Sequence, residues 1–549
     1  MNKMDKKVKL LIPALVLLCA LVAGIWFAIH RMEGQPPVLN LNLAGKVIGQ
    51  ETTLSGRASD QGSGLTSLRI SIFQKGPGAK EMPLLDEAYP PGGFFKSGPV
   101  KQKDFKVVIS AQKLGLQDGD LLLKITATDN SLRGWGKGNI TARELPLKID
   151  TRPPILSALT RAHYVNQGGV GCVIYDVSEP TLKDGVRVGE NFFPGYSGVF
   201  KNPNTHLALF ALNYDQGTET EIGLEATDLA GNMGKATFAY QIKPKDFKSD
   251  SIGISDSFFS TVLPYFEPIK VKGNDNSLLA KFLFINRDQR KADFDKIMAL
   301  CKTSEKKILW EGTFLRMPNA APRAGYADHR TYVYNGKPVD QQVHLGVDLA
   351  SLALSPIPAA NAGKVVFTGP LGIYGLSVFL DHGLGLFSHY SHLSKIDVKL
   401  GQMVTKGQNV GVTGATGMAG GDHLHYGMLL YNTFIDPKEW WDPHWIKDNV
   451  TDKIASVSQG ENPSAAPQAA AAEAMAPEIQ AEPKPATQPT EPAEAKPAPK
   501  PGKKVPAKLA AVTKSKPAAS KTPAKQVDKK AAKAEGKSKA KPAAKKAAR

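Results

Sequence analysis

Between Leu10 and Ile29 the chain runs through 20 positions without a charged residue, directly after Lys3, Lys6, Lys7 and Lys9. Backbone groups inside lipid must bond within their own segment, and a helix of this length crosses a hydrocarbon core of roughly 30 Å. The run therefore predicts a single membrane span over residues 10–29. The lysines put residues 1–9 in the cytoplasm, so everything after Arg31 is exported from an inner (cytoplasmic) membrane to the periplasmic or extracytoplasmic side. A cleaved signal peptide is the alternative, but its apolar region is shorter and ends in an A-x-A-like site that is lacking here. Leu18 before Cys19 does not provide the small residue of a lipoprotein signal.

At 549 residues the chain is too long for one core. From Pro36 to about Pro244 it shows short alternating runs, such as Leu68-Arg69-Ile70-Ser71-Ile72 and Phe105-Lys106-Val107-Val108-Ile109, separated by Gly, Asp, Asn and Pro clusters. Side chains alternate across a strand, so this texture predicts antiparallel sandwiches. A weak repeat supports two of them, over 36–151 and 152–245. Each begins with a Pro-Pro pair (Pro36-Pro37, Pro153-Pro154) and approaches its end with Ala-Thr-Asp at 127–129 and 226–228. The run Ala226-Thr227-Asp228-Leu229-Ala230-Gly231-Asn232 resembles the late-strand signature of bacterial immunoglobulin-like domains, which implies spacers or binding modules.

Over 246–310 the texture turns helical. Leu278, Leu279, Phe282, Leu283, Ile285, Phe294, Ile297, Met298 and Leu300 recur at helical spacing after possible caps at Asp275, Asn276 and Ser277. From 448 to 549 an Ala, Pro, Lys and Glu mixture with almost no aromatics cannot bury enough apolar surface to offset ordering entropy and is expected to be disordered. The net charge of +18 belongs mostly to that tail. From Lys496 onward seventeen lysines and one arginine face only Asp528 and Glu535, a net +16 that leaves about +2 elsewhere. That distribution predicts salt-dependent contact of the tail with anionic wall or lipid surfaces and no nucleic-acid-reading face. Cys172 and Cys301 have no metal or redox spacing and read as buried thiols, with a disulfide between them the alternative.

Seven of the eleven histidines (His344, His382, His389, His392, His423, His425 and His444) fall within 344–444. Three fragments stand out: His344-Leu345-Gly346-Val347-Asp348, Tyr390-Ser391-His392-Leu393, and Gly421-Asp422-His423-Leu424-His425. Alone, H-x-x-x-D is common by chance, but H-x-H on a strand projects both imidazoles to one face and invites a metal. A phosphate loop fails because no Gly-Lys-Ser/Thr follows the glycines at 411–421. A lipoyl or biotinyl carrier fails for want of its lysine turn.

In this order and spacing the three fragments resemble the signature of lysostaphin-like (LytM-type) peptidases, over about 311–447. The resemblance implies a compact antiparallel-β catalytic domain with a groove, and zinc held by His344, Asp348 and His425. It implies His392 and His423 as the non-ligand catalytic pair, and hydrolysis of peptidoglycan peptides. Three protein ligands leave the fourth tetrahedral position to water, as catalytic rather than structural sites do. The family's frequent Glu two positions after H-x-H is Gly427 here. By strand alternation His389 should point away from His392, His382 should serve a hairpin turn, and His444 with Trp440, Trp441 and Trp445 should cap the core. The expected fold class is mainly β: two sandwiches, a helical connector, the catalytic domain and the tail. The rival readings are a catalytically silent regulator of cell-wall amidases, or a wall-binding scaffold.

Overall fold

The computed structural model describes residues 6–459, apart from 44, 75–80, 94–95, 270 and 272–274; for 6–10, 28 and 30 it describes only the backbone course. The chain divides into Met1–Ala476 and Pro477–Arg549, and the second unit, with the basic tail from 460 onward, lies outside the described residues. The architecture is mainly β with antiparallel sheets. The N-terminal run forms one helix, α1 (Lys6–Arg31), whose Leu11, Leu15, Leu18, Val22 and Ile25 side chains are all exposed. Among the described residues no helix is long and apolar enough to cross a membrane. Within the expected span, 10–29, the side chains of Leu10 and Ala28 lie outside the described residues.

The first β region pairs a three-stranded sheet (Val38–Asn42, Glu51–Ser59, Gln102–Ser110) with a five-stranded sheet containing Leu65–Gln74 and Gly119–Asp129. The period of 2 is plain in its burial: Leu121, Leu123, Ile125 and Ala127 are buried while their neighbours are not. These residues form a core of their own, from Leu39 to Ile149.

The second β region does not. Its strand Val170–Val177 is buried at every position but Asp176, so it packs on both faces. The result is one continuous core from Leu156 to Val450 that joins this region to the histidine-rich sheet. Polar groups fasten the same junction. Glu439 accepts hydrogen bonds from Asn166 Nδ2 (2.7 Å) and the Val170 amide (2.9 Å), and the Asp436 amide donates to the Gly168 carbonyl (2.8 Å). Gly169 is required there, because an added Cβ would lie 2.2 Å from Glu439 Oε1.

The connector differs from the helical expectation at its start. Ser249–Ile254 is a strand, hydrogen-bonded in parallel to Asp328–Tyr334. Helices follow at Asp256–Val262, Leu278–Phe284 and Arg290–Leu300, and of the candidate caps it is Ser277 whose hydroxyl accepts from the Ala280 amide. Cys172 and Cys301 are free, buried thiols, and burial pushes Cys172 up to about 11. At the other end the helical run continues past 447, where the tail was expected to begin, to Ser458. Lys453 there donates to the Cys172 carbonyl at 3.0 Å.

His382, His389, His392 and His425 sit on an eight-stranded antiparallel sheet: β1 (Ala321–Ala324), β2 (Val347–Ala350), β3 (Gly363–Pro370), β4 (Leu376–Gly383), β5 (Leu386–Leu393), β6 (Met403–Val404), β7 (Leu424–Leu430) and β8 (Thr433–Ile435). Its order is β1-β2-β7-β5-β4-β3-β6, with β8 pairing β7. Trp440 is fully buried beside it, edge-on to Trp310 and Phe314.

Burial, and then Asp436, raise the Glu439 carboxyl from its ordinary 4.5 to about 7. The folded chain thus holds this proton more tightly than the unfolded chain, so its contribution falls as pH rises from about 4.5 to about 7. Glu439→Gln, which stays neutral, should be more stable than the parent at pH 8 by roughly 1 to 3 kcal/mol and should lose that advantage near pH 5. Calorimetric melting of both proteins at the two pH values measures it.

Candidate metal centre

Antiparallel pairing of β2 with β7 sets Asp348 directly opposite His425. Paired residues face the same side of a sheet, so a carboxylate and an imidazole meet there without any loop to position them. His344 ends the neighbouring strand Lys337–His344 and returns over this pair through Leu345-Gly346. The turn must pass close: a Cβ at Gly346 would lie 2.6 Å from the His425 ring, which accounts for glycine in the middle of H-x-G-x-D.

Three donor atoms converge. His344 Nε2, Asp348 Oδ1 and His425 Nδ1 lie 3.0 Å from one another in all three pairings. Ligands about 2.0 Å from a tetrahedral ion stand about 3.3 Å apart, so the triangle fits a zinc ion with little adjustment. The chemistry fits as well. His344 donates its Nδ1–H to the Gly325 carbonyl at 2.8 Å, which leaves the Nε2 lone pair facing the triangle. Burial opposes the Asp348 charge, but His344 and then His423 and His425 hold its carboxyl well below the usual range. Its second oxygen accepts a hydrogen bond from Arg330 at 3.1 Å.

His392 and His423 flank this triangle, their rings 4.8 Å apart. The His392 ring lies 5.8 Å from that of His425, and His423 Nε2 lies 3.6 Å from Asp348 Oδ1. Each donates Nδ1–H to a backbone carbonyl at 2.8 Å, of Thr416 and Gly421 respectively. This leaves the His392 Nε2 as an acceptor, whereas at His423 burial is outweighed by Asp348, which raises that imidazole and favours a proton on the Nε2 facing it. Burial, reinforced by His423 and His425, lowers His392 to about 3.

The five residues singled out from sequence are thus brought together, but His389 is not where alternation puts it. Leu376 pairs with Leu393 and Val378 with Tyr390, so Ser391 and His392 together oppose the single residue Ser377. This bulge, with His392 at φ +62°, breaks the period of 2 and re-aims His392. Both His389 and His392 consequently stand 5.8 Å from the His425 ring. His389 stacks on Phe379 at 4.0 Å and bonds to the Ser391 hydroxyl. His382 is structural, its ring nitrogens bonded to the Ala362 carbonyl and the Ser388 hydroxyl at 2.7 Å each. His444 is exposed and no part of the core cap.

A cavity of about 240 Å³ opens on the triangle. Beside the five site residues it is lined by Arg290, Arg330, Tyr374 and Met418, and by Ile252 and Phe258 from the connector. None of these carries a motif. Arg330 and Ile252 reach the site because their strands pair in parallel, a long-range relation that no local pattern announces.

Residues 342–437 match the model of Peptidase family M23. Over 95 residues the chain is 40% identical to the peptidoglycan DD-endopeptidase ShyA of Vibrio cholerae, covering 17% of this chain and 22% of that one. It is 33% identical over 96 residues to the DD-carboxypeptidase/endopeptidase Mpg of Neisseria meningitidis, covering 18% and 22%. The chain thus spans under a quarter of the length of these relatives. Among solved structures, a putative M23 peptidase from Pseudomonas aeruginosa aligns over 50% of this chain and 94% of its own at 23% identity and a TM-score of 0.34. The lysostaphin catalytic domain of Staphylococcus simulans aligns over 24% and 98% at 30% identity and a TM-score of 0.21.

His382, with both ring nitrogens bonded in the core, contributes to stability rather than to the site. His382→Ala should cost about 2 kcal/mol or more of stability, as removal of a packed, bonded side chain does. Denaturant unfolding against the parent measures it.

Proposed function

We propose that residues 311–447 form a zinc-dependent endopeptidase that hydrolyses stem peptides or cross-links of peptidoglycan, held at the outer face of an inner membrane by α1. The observation that carries this reading is the 3.0 Å triangle of His344, Asp348 and His425 beside two further imidazoles. The M23 match and the cell-wall endopeptidases among its relatives support the same substrate class.

His344, Asp348 and His425 would hold the ion, with Arg330 steadying the second carboxylate oxygen. When bound, zinc would acidify a water molecule and polarise the scissile carbonyl. The protein supplies the proton handling. His392 is buried and neutral, and beside His423 it presents Nε2 to the cavity as an acceptor for a proton leaving the attacking water. The same atom, once protonated, is a donor for the developing oxyanion or for the departing amine. Ile252, Phe258, Tyr374 and Met418 give the cavity apolar walls that limit the water around those transfers.

The lysines ahead of the apolar run, Lys3, Lys6, Lys7 and Lys9, support an orientation with the N-terminus inside and the catalytic domain in the periplasm. The +16 tail adds a screened attraction for anionic wall or lipid surfaces.

Two classes of variant separate the roles. His344→Ala, Asp348→Ala or His425→Ala should lose both bound zinc and hydrolysis, whereas His392→Ala or His423→Ala should keep about one zinc per chain and lose about 10² or more in turnover. Metal analysis of the full chain, with digestion of purified sacculi read by product mass, distinguishes them. A zinc-free His423→Ala protein, or a fully active His392→Ala protein, would overturn the assignment. Arg330→Leu should weaken zinc binding by about 10- to 100-fold, the scale for losing a partner of a ligating carboxylate, as a competitive chelator titration shows.

A further inference from the structure

The first β region carries a feature that neither its core nor the M23-matching segment uses. Trp135 is fully exposed, at the tip of the loop Ser131-Leu132-Arg133-Gly134-Trp135-Gly136-Lys137-Gly138-Asn139. Its backbone is left-handed (φ +62°), as are those of Gly134, Gly136 and Gly138. A bulky aromatic residue rarely adopts that conformation, and here the ring gains no packing from the fold in return. Indole rings concentrate where an apolar phase meets water.

The position of the loop says which phase. It is fastened to the end of α1: the Leu132 amide donates to the Arg31 carbonyl (2.7 Å), and Ser131 Oγ and Asn139 Nδ2 donate to the Glu33 carbonyl (2.9 and 3.0 Å). Arg31 itself is buried against the same pole, donating to the carbonyls of Asn130 and Gly93. Trp135 is three residues from Leu132, Arg31's nearest bonding partner along the loop, within about 11 Å of extended chain, enough to span one interfacial layer of about 5–8 Å. Around it Met32 and Ile140 are exposed apolar residues, and Arg133 and Lys137 are exposed cations. The carboxylates of this pole are Glu33, half-buried and accepting from the Ser63 amide, and Asp60 and Asp129, which are buried. Asp129 faces inward to the amides of Ser131 and Asn139.

We infer that the 131–139 loop is a membrane-docking tip, with the Trp135 ring seated among the headgroups of the bilayer that α1 crosses and Arg133 and Lys137 paired with anionic lipid phosphates. The inference rests on the anchoring role proposed for α1. It gives the first β region a fixed seat on the bilayer in place of free swing on a flexible tether.

The test uses the full chain and its W135F variant in bilayer discs of phosphatidylcholine with phosphatidylglycerol. The parent-minus-variant emission isolates Trp135 from the other five tryptophans. That difference should lose about half or more of its intensity when the lipids are brominated near the headgroup, and aqueous iodide should leave it largely unquenched. Arg133→Glu with Lys137→Glu should reduce the effect in phosphatidylglycerol discs and not in pure phosphatidylcholine. If the chain stays in the bilayer through an alkaline carbonate wash while Trp135 remains open to iodide, the docking tip is overturned and the anchor survives. If Trp135 responds only to added glycan-strand fragments, the loop binds wall polymer and the docking tip is again overturned. Release of the chain by carbonate overturns both.

Discussion

The pairing of β2 with β7 is the interaction on which the site depends. It places Asp348 and His425 on one face by backbone hydrogen bonds alone, and the glycine two residues before Asp348 lets His344 close the triangle at van der Waals distance. A one-residue slip in that register would turn the carboxylate to the opposite face and leave two imidazoles without a counter-charge. The neighbouring strands carry that register into the rest of the sheet: β5 pairs with β7 on its other side and delivers Ser391 opposite His425. The bulge next to Ser391 then turns His392 toward the triangle.

Histidine in this protein does three physically distinct things between His344 and His425. His344 and His425 converge on one point with a carboxylate. His392 and His423 keep one nitrogen tied to a backbone carbonyl and one facing the cavity. His382 has both nitrogens satisfied inside the core, where burial lowers it to about 4 and keeps it neutral. Identity of the side chain is common to all; what differs is which nitrogen the fold has already engaged.

Much of this was legible in the residues. H-x-G-x-D and H-x-H carry their geometry in their spacing, because strand alternation and a close-passing glycine are local properties. Ser277 was readable as a cap for the same reason. What could not be read is non-local. The side of the sheet on which His389 falls depends on a bulge defined only by the partner strand, and Arg330 reaches Asp348 only once Asp328–Tyr334 is in its sheet. The continuous core from Leu156 to Val450 was hidden for a similar reason. Val170–Val177 reads as a buried strand, but its composition does not say what covers its second face.

The parallel pairing of Ser249–Ile254 with Asp328–Tyr334 limits how far this chain can be shortened. A chain beginning at residue 311 would keep every histidine of the triangle but strip the strand that covers one side of Asp328–Tyr334. That strand would become an open edge with unpaired amides and carbonyls and with Tyr332 and Tyr334 bared of the Phe259 and Phe282 rings now beside them. Such edges recruit other strands. A fragment that keeps this edge paired begins before Ser249, and shorter pieces are candidates for edge-to-edge aggregation rather than for a more open active site.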